Sequence, residues 1–94
     1  MPVTVLIPTP LRPYAGKQSS VDFDARTVRE ALDALTSQYG ELRKHLYADD
    51  GRLRSFVNVY VNDEDIRFLQ REETPLSQGD TISIIPSIAG GAIR

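Results

Sequence analysis

Cysteine is absent from the 94 residues, which excludes disulfides, Cys-ligated zinc, iron–sulfur clusters and a thiol nucleophile together. No apolar run approaches the ~20 residues that a membrane-spanning helix needs; the longest extends only from Val3 to Pro8. The start also lacks the charged segment and following apolar stretch of a secretory signal, so a cytoplasmic protein without membrane contact is expected. An excess of positive charge is missing as well. Eleven basic and thirteen acidic residues give a formal net charge of −2 and are scattered along the chain, leaving no basic stripe for a phosphate backbone and no reason to expect nucleic acid as a partner.

Side-chain chemistry is equally sparse. His45 is the only histidine and reads as a surface helix residue, because no nucleophile or ligand pattern accompanies it. Asp63, Glu64 and Asp65 lack both the spacing and the glycine of a calcium loop and read as a solvated turn. Arg67, Arg71, Glu72 and Glu73 read as surface charge, available for selecting partners by complementarity. With no nucleophile–base pair, no metal cluster and no phosphate-binding glycine loop, an enzyme acting alone is not expected, and no metal or bound cofactor is expected either.

What is present suits one small globular domain. The length allows a single core, and 40% apolar with 26% charged residues is ordinary for a globular chain. Val3-Thr4-Val5-Leu6-Ile7 predicts a strand that stops at Pro8, followed by a long hairpin loop to about Lys17. Gln18 to Asp24 alternates apolar Val21 and Phe23 with polar neighbours and predicts a second, antiparallel strand. Thr27 and Glu30 form a capping-box pattern that opens a helix. Val28, Ala31, Leu32, Leu35 and Tyr39 make its apolar stripe, and Gly40 is placed to end it in a left-handed conformation.

After that helix, Glu41 to Leu46 predicts a short helical turn carrying Leu42 and Leu46 inward, and Asp49-Asp50-Gly51 a turn. Phe56 to Val61 alternates strictly, with Val57, Val59 and Val61 toward the core and Phe56, Asn58 and Tyr60 on the other face. Asn62-Asp63 predicts a turn, Ile66 to Leu69 a short strand, and Thr81 to Pro86 the last strand, with Ile82 and Ile84 inward and Ser83 and Ile85 outward. The order predicts an α+β layer pair, a sheet on one main helix, spanning residues 1–86. Residues 87–94 lack any helix or strand pattern and are expected to be an exposed, mobile tail. Adjacent Gly90 and Gly91 within it would let a backbone enter a channel too narrow for side chains.

Three stretches carry a resemblance: Val61-Asn62-Asp63-Glu64-Asp65-Ile66-Arg67-Phe68, then Thr74-Pro75-Leu76-Ser77-Gln78-Gly79-Asp80, then Ile84-Ile85-Pro86-Ser87-Ile88-Ala89-Gly90-Gly91. Together they resemble the second half of the MoaD/ThiS family of prokaryotic ubiquitin-like sulfur carriers. Val3-Thr4-Val5-Leu6-Ile7-Pro8-Thr9 with Leu11-Arg12-Pro13 is most similar to the CysO-type members that serve cysteine synthesis.

The resemblance implies a β-grasp fold, a mixed sheet of four to five strands on one main helix. It also implies that an E1-like adenylating and sulfurtransferase enzyme activates the Gly91 carboxyl with ATP. A carboxylate is a poor acyl electrophile and the acyl-adenylate a good one; sulfide or a persulfide then displaces AMP to leave a thiocarboxylate. The implied acceptors are a PLP-dependent cysteine synthase or, in the pterin branch, the large subunit of molybdopterin synthase.

In this sequence Ala92-Ile93-Arg94 follow Gly91, whose carboxyl is therefore held in an amide. Cleavage between Gly91 and Ala92, by a JAMM-type zinc metallopeptidase, is expected before activation; a chain that has lost carrier activity is the alternative. Leu6, Phe56, Tyr60, Ile85 and Ile88 are the expected partner-binding residues, Ile85 foremost. Transfer of Gly91 to lysines of other proteins, and a non-covalent β-grasp interaction module, are the alternative functions.

Overall fold

The β-branched and alternating segments pair into one five-stranded sheet, seen in a computed structural model that describes residues 2–86. Its strands are β1 (Val3–Leu6), β2 (Ser20–Phe23), β3 (Val57–Val61), β4 (Glu64–Asp65) and β5 (Thr81–Pro86), in the spatial order β2-β1-β5-β3-β4. β1 and β5 run parallel at the centre, and every other neighbouring pair is antiparallel. The expected tail, its Gly90 and Gly91, the contact residue Ile88 and the Gly91–Ala92 cleavage position all lie outside the described residues.

Period-2 alternation gives the sheet two chemically different faces. Val3 and Val5, Val57, Val59 and Val61, and Ile82 and Ile84 are all buried, whereas Leu6 and Ile85 between or beside them are exposed. Helix α1 (Val28–Gln38) lays its stripe of Val28, Ala31, Leu32 and Leu35 into the same core, each 0% exposed. Tyr39 packs on the core at the margin and is only partly buried. At ~1.5–3 kcal/mol for each fully buried aliphatic side chain, this sheet–helix contact is the main source of stability.

The helix start follows its pattern closely. Thr27 Oγ1 accepts from the Glu30 amide at 3.2 Å, and Glu30 Oε1 reaches back to accept from the Arg26 amide at 2.9 Å. The helix end differs from expectation. Gly40 is not in a left-handed conformation; Tyr39 closes α1 at φ −124°, and Gly40 opens a second helix, α2 (Gly40–Leu46). Burial of Leu42 and Leu46 holds the chain helical immediately past the break, so no reversal is needed. The long loop after β1 is likewise partly ordered, as a 3₁₀ helix over Thr9–Tyr14 that buries Leu11. Pro10 presets φ at its start.

A second correction concerns Ile66 to Leu69, which is not a strand. Asn62 and Asp63 both take positive φ, 49° and 77°, and close a two-residue hairpin that pairs Val61 with Glu64 and Tyr60 with Asp65. The return strand is thus only Glu64–Asp65. The Asp65 carboxylate then accepts from the Arg67 amide at 2.8 Å, and Ile66–Phe68 continues as a 3₁₀ turn. Asp65 is therefore not a solvated turn residue. It is 7% exposed, and its carboxylate is bridged by the Arg67 guanidinium at 2.7 Å.

Hydrogen bonding from the Arg67 side chain, and then from its backbone amide, holds the Asp65 carboxyl below the usual carboxylate range. A folded-state value below the unfolded one means that this stabilisation is complete above the unfolded pKa of ~3.9 and is lost as pH falls through the folded value.

Two outcomes follow. Leu35→Ala is expected to cost about 2–5 kcal/mol of unfolding free energy, read by urea denaturation. Asp65→Asn is expected to lower Tm at neutral pH, with the gap from the parent closing as the pH of the melt is taken below ~3.9; a gap independent of pH would contradict the ion-pair assignment.

Candidate functional site

Which outward-facing residues meet follows from the strand register. Leu6 of β1 and Tyr60 of β3 both lie opposite Ser83 of the central strand, so the three form one row across the sheet on the face away from α1. Ile85 stands two positions further along β5, opposite Asn58, a diagonal step of about 7–8 Å that side chains of this length can span. Leu6 is 40% exposed and Ile85 50% exposed, with Tyr60 half-buried. Ser83, small and half-buried between them, leaves the three larger side chains to form the apolar surface.

Polar groups border this surface on both sides. On the β1 side, Thr4 Oγ1 donates to Asp22 at 2.8 Å. On the β3 side, Arg67 Nη2 donates to Asn58 Oδ1 at 2.8 Å and to Asp65 Oδ2 at 2.7 Å. Arg67 had the appearance of free surface charge in the sequence; in the fold it ties β3 to the turn after β4. An apolar centre with a hydrogen-bonded polar rim is the usual anatomy of a protein docking surface.

The structure brings Leu6, Tyr60 and Ile85 together and places Phe56 differently. Phe56 precedes β3, is 39% exposed, and lines a cleft with Pro10, Leu11, His45 and Pro86. Pro86, the last described residue, lies in β5 and lines that cleft. His45 is half-buried and its ring stacks on Tyr14, with centroids 4.2 Å apart, which gives it a packing role at the same end of the molecule.

Among the described residues no group of His, Cys, Asp or Glu side chains could hold a metal ion, and no helix is long and apolar enough to cross a membrane. Burial pushes the Tyr47 phenol up to about 12, further from proton transfer at neutral pH. What the arrangement can do is present an apolar, rimmed surface across β1, β5 and β3.

Known proteins resemble this chain in sequence and in fold. The ThiS family model matches residues 5–91. The chain is 42% identical to sulfur carrier protein CysO of Mycobacterium tuberculosis, over 97% of this chain and all of that one. It is 38% identical to small archaeal modifier protein 3 of Haloferax volcanii, over 85% of this chain and 88% of that one. Among solved structures, a chain of the Amycolatopsis orientalis BexX/CysO complex superimposes with a TM-score of 0.85 at 43% identity, covering 95% of this chain and 99% of that one. A match running from β1 through to residue 91, joined to the mixed five-stranded sheet it requires, makes this chain a member of the ThiS family.

Proposed function

We propose that the chain is a sulfur carrier whose working atom is the Gly91 carboxyl carbon, freed by cleavage before Ala92. One observation carries the reading: the family match extends through residue 91, the second of the two adjacent glycines. Strong similarity to a sulfur carrier over nearly the whole of both chains supports it.

On this reading the globular part carries no chemistry of its own. An ATP-dependent adenylating enzyme converts the Gly91 carboxylate to an acyl-adenylate with release of pyrophosphate, and AMP leaves when sulfide attacks the acyl carbon; a persulfide attacking instead gives an acyl disulfide, which a thiol reductant cleaves to the thiocarboxylate. The thiocarboxylate that results is a nucleophile and needs no cysteine in the carrier, in keeping with a chain that has none. Cysteine formation on a PLP-dependent synthase is the proposed use, with the molybdopterin route as the other acceptor. The role for Leu6, Tyr60 and Ile85 is recognition, holding the exit at Pro86 against the partner so that the glycines reach its pocket. The BexX/CysO complex supports a carrier that works while docked on another protein.

The similarity to a small archaeal modifier protein favours a second reading, transfer of activated Gly91 to lysines of other proteins. Both readings share the first step and part at the product.

A chain ending at Gly91, incubated with the host's adenylating enzyme, ATP and a sulfur source, is expected to gain the mass difference between sulfur and oxygen, while the chain retaining Ala92-Ile93-Arg94 stays unchanged. Branched glycine remnants on target lysines would instead identify the modifier. Failure of the Gly91-terminated chain to react with any adenylating enzyme of its host would end both readings. Ile85→Asp, a charge placed in the middle of the apolar face, is expected to slow activation by about tenfold or more without changing Tm appreciably; an unchanged rate would remove this face from the docking surface.

A further inference from the structure

A cleft of about 570 Å³ lies beside β3, floored by Val57 and Val59 and walled by Arg29, Arg52, Arg54, Arg67 and Arg71. These arginines come from four separate stretches of a chain whose formal net charge is negative, so tertiary folding alone concentrates them. Two are already neutralised: Arg29 by Glu73 at 2.7 Å and Arg67 by Asp65 at 2.7 Å. Glu72 also borders the cleft. Arg52, Arg54 and Arg71 have no carboxylate within ion-pair distance among the described residues.

Arg71 is held there against local preference. Its backbone has φ 53°, a left-handed conformation unfavourable for a side chain of this kind. Thr74, itself buried, fixes it by donating from Oγ1 to the Arg71 carbonyl at 2.6 Å and accepting from the Gln70 amide at 3.0 Å.

The shape decides what class of ligand fits. β4 pairs only with Tyr60 and Val61, so the edge of β3 at Val57–Val59 has no strand beside it. Val57 and Val59 are only 7% and 2% exposed, their side chains being turned into the core. The volume is that of a small-molecule site, which favours a compact ligand over an extended segment. Arg54 Nε already donates to the Lys44 carbonyl at 2.9 Å, while the planar forks of Arg52 and Arg71 match phosphate oxygens in bidentate geometry.

We propose that this cleft binds a small molecule bearing two or more linked phosphate groups, at a site separate from the outward apolar face. Neither the family membership nor the carrier chemistry is needed for the argument, and the site can fail without affecting either.

The test is titration of the isotope-labelled full chain with sodium pyrophosphate at low ionic strength, followed through its amide resonances. Saturable shifts confined to residues around 29, 51–59 and 65–73 are expected, with affinity falling as salt is raised. Arg52→Gln with Arg71→Gln should weaken binding by about tenfold or more, while Arg26→Gln, away from the cleft, should not; the same spectra report whether each variant is folded. In a second arm ATP replaces pyrophosphate. Equal affinity would mean that the site reads the phosphates alone, and tighter binding with further shifts along 53–57 would mean that the nucleoside is also seated; either supports the proposal. Shifts that rise linearly without saturating, equal weakening by Arg26→Gln, or citrate binding as tightly as pyrophosphate would overturn it.

Discussion

The parallel pairing of β1 with β5 is the constraint from which the rest of the molecule follows. It joins residues nearly eighty positions apart in sequence, setting Val5 opposite Ile82 and Leu6 opposite Ser83. Val5 and Ile82 are both 0% exposed beneath α1. The Asp80 backbone carbonyl accepts from the Thr4 amide at 3.0 Å, and the Asp80 carboxylate accepts from the Ser77 amide at 2.8 Å, so the turn at Gly79 (φ 86°) delivers β5 in the correct register. Because β5 also pairs with β3, it is the strand that connects the first hairpin to the second. Register has no freedom here, since a one-residue slip would turn Ile82 and Ile84 out to solvent and Ser83 into the core.

That same register creates the outward apolar face as a by-product of building the core. Every inward valine or isoleucine on the central strands commits its neighbours to the outer face, and three of those neighbours are the apolar Leu6, Tyr60 and Ile85. Leaving them uncovered forfeits burial that the inner face obtains, which is a reason to assign the outer face a partner. The polar rim is built independently by Thr4 with Asp22 and by Arg67 with Asp65 and Asn58. On the proposed reading, chemistry and recognition are divided: the acyl group at Gly91 reacts, and the folded part determines which enzyme receives it.

Elements governed by local rules were legible from the residues. The capping box at Thr27 and Glu30, the α1 stripe, the inward faces of β3 and β5 and the start of the last strand at Thr81 all depend on neighbours within a few positions. The elements that came out differently depend on what lies across a gap in the sequence. Gly40 looked like a helix terminator until burial of Leu42 and Leu46 continued the helical path. Ile66 to Leu69 had strand composition, but the tight turn at Asn62-Asp63 and the Asp65–Arg67 contacts used up the return strand in two residues.

The amino-acid sequence by itself determined the α+β class, the one main helix, the two faces of each strand and the family, because periodicity and motif order are properties of the chain read in line. Only the tertiary structure decided that Leu6, Tyr60 and Ile85 converge around Ser83 while Phe56 turns toward Pro86, and that five arginines from distant segments share one cleft. Such juxtapositions depend on which strands become neighbours and in what register. That is settled by the best joint packing of all the elements, and no single stretch of sequence contains it.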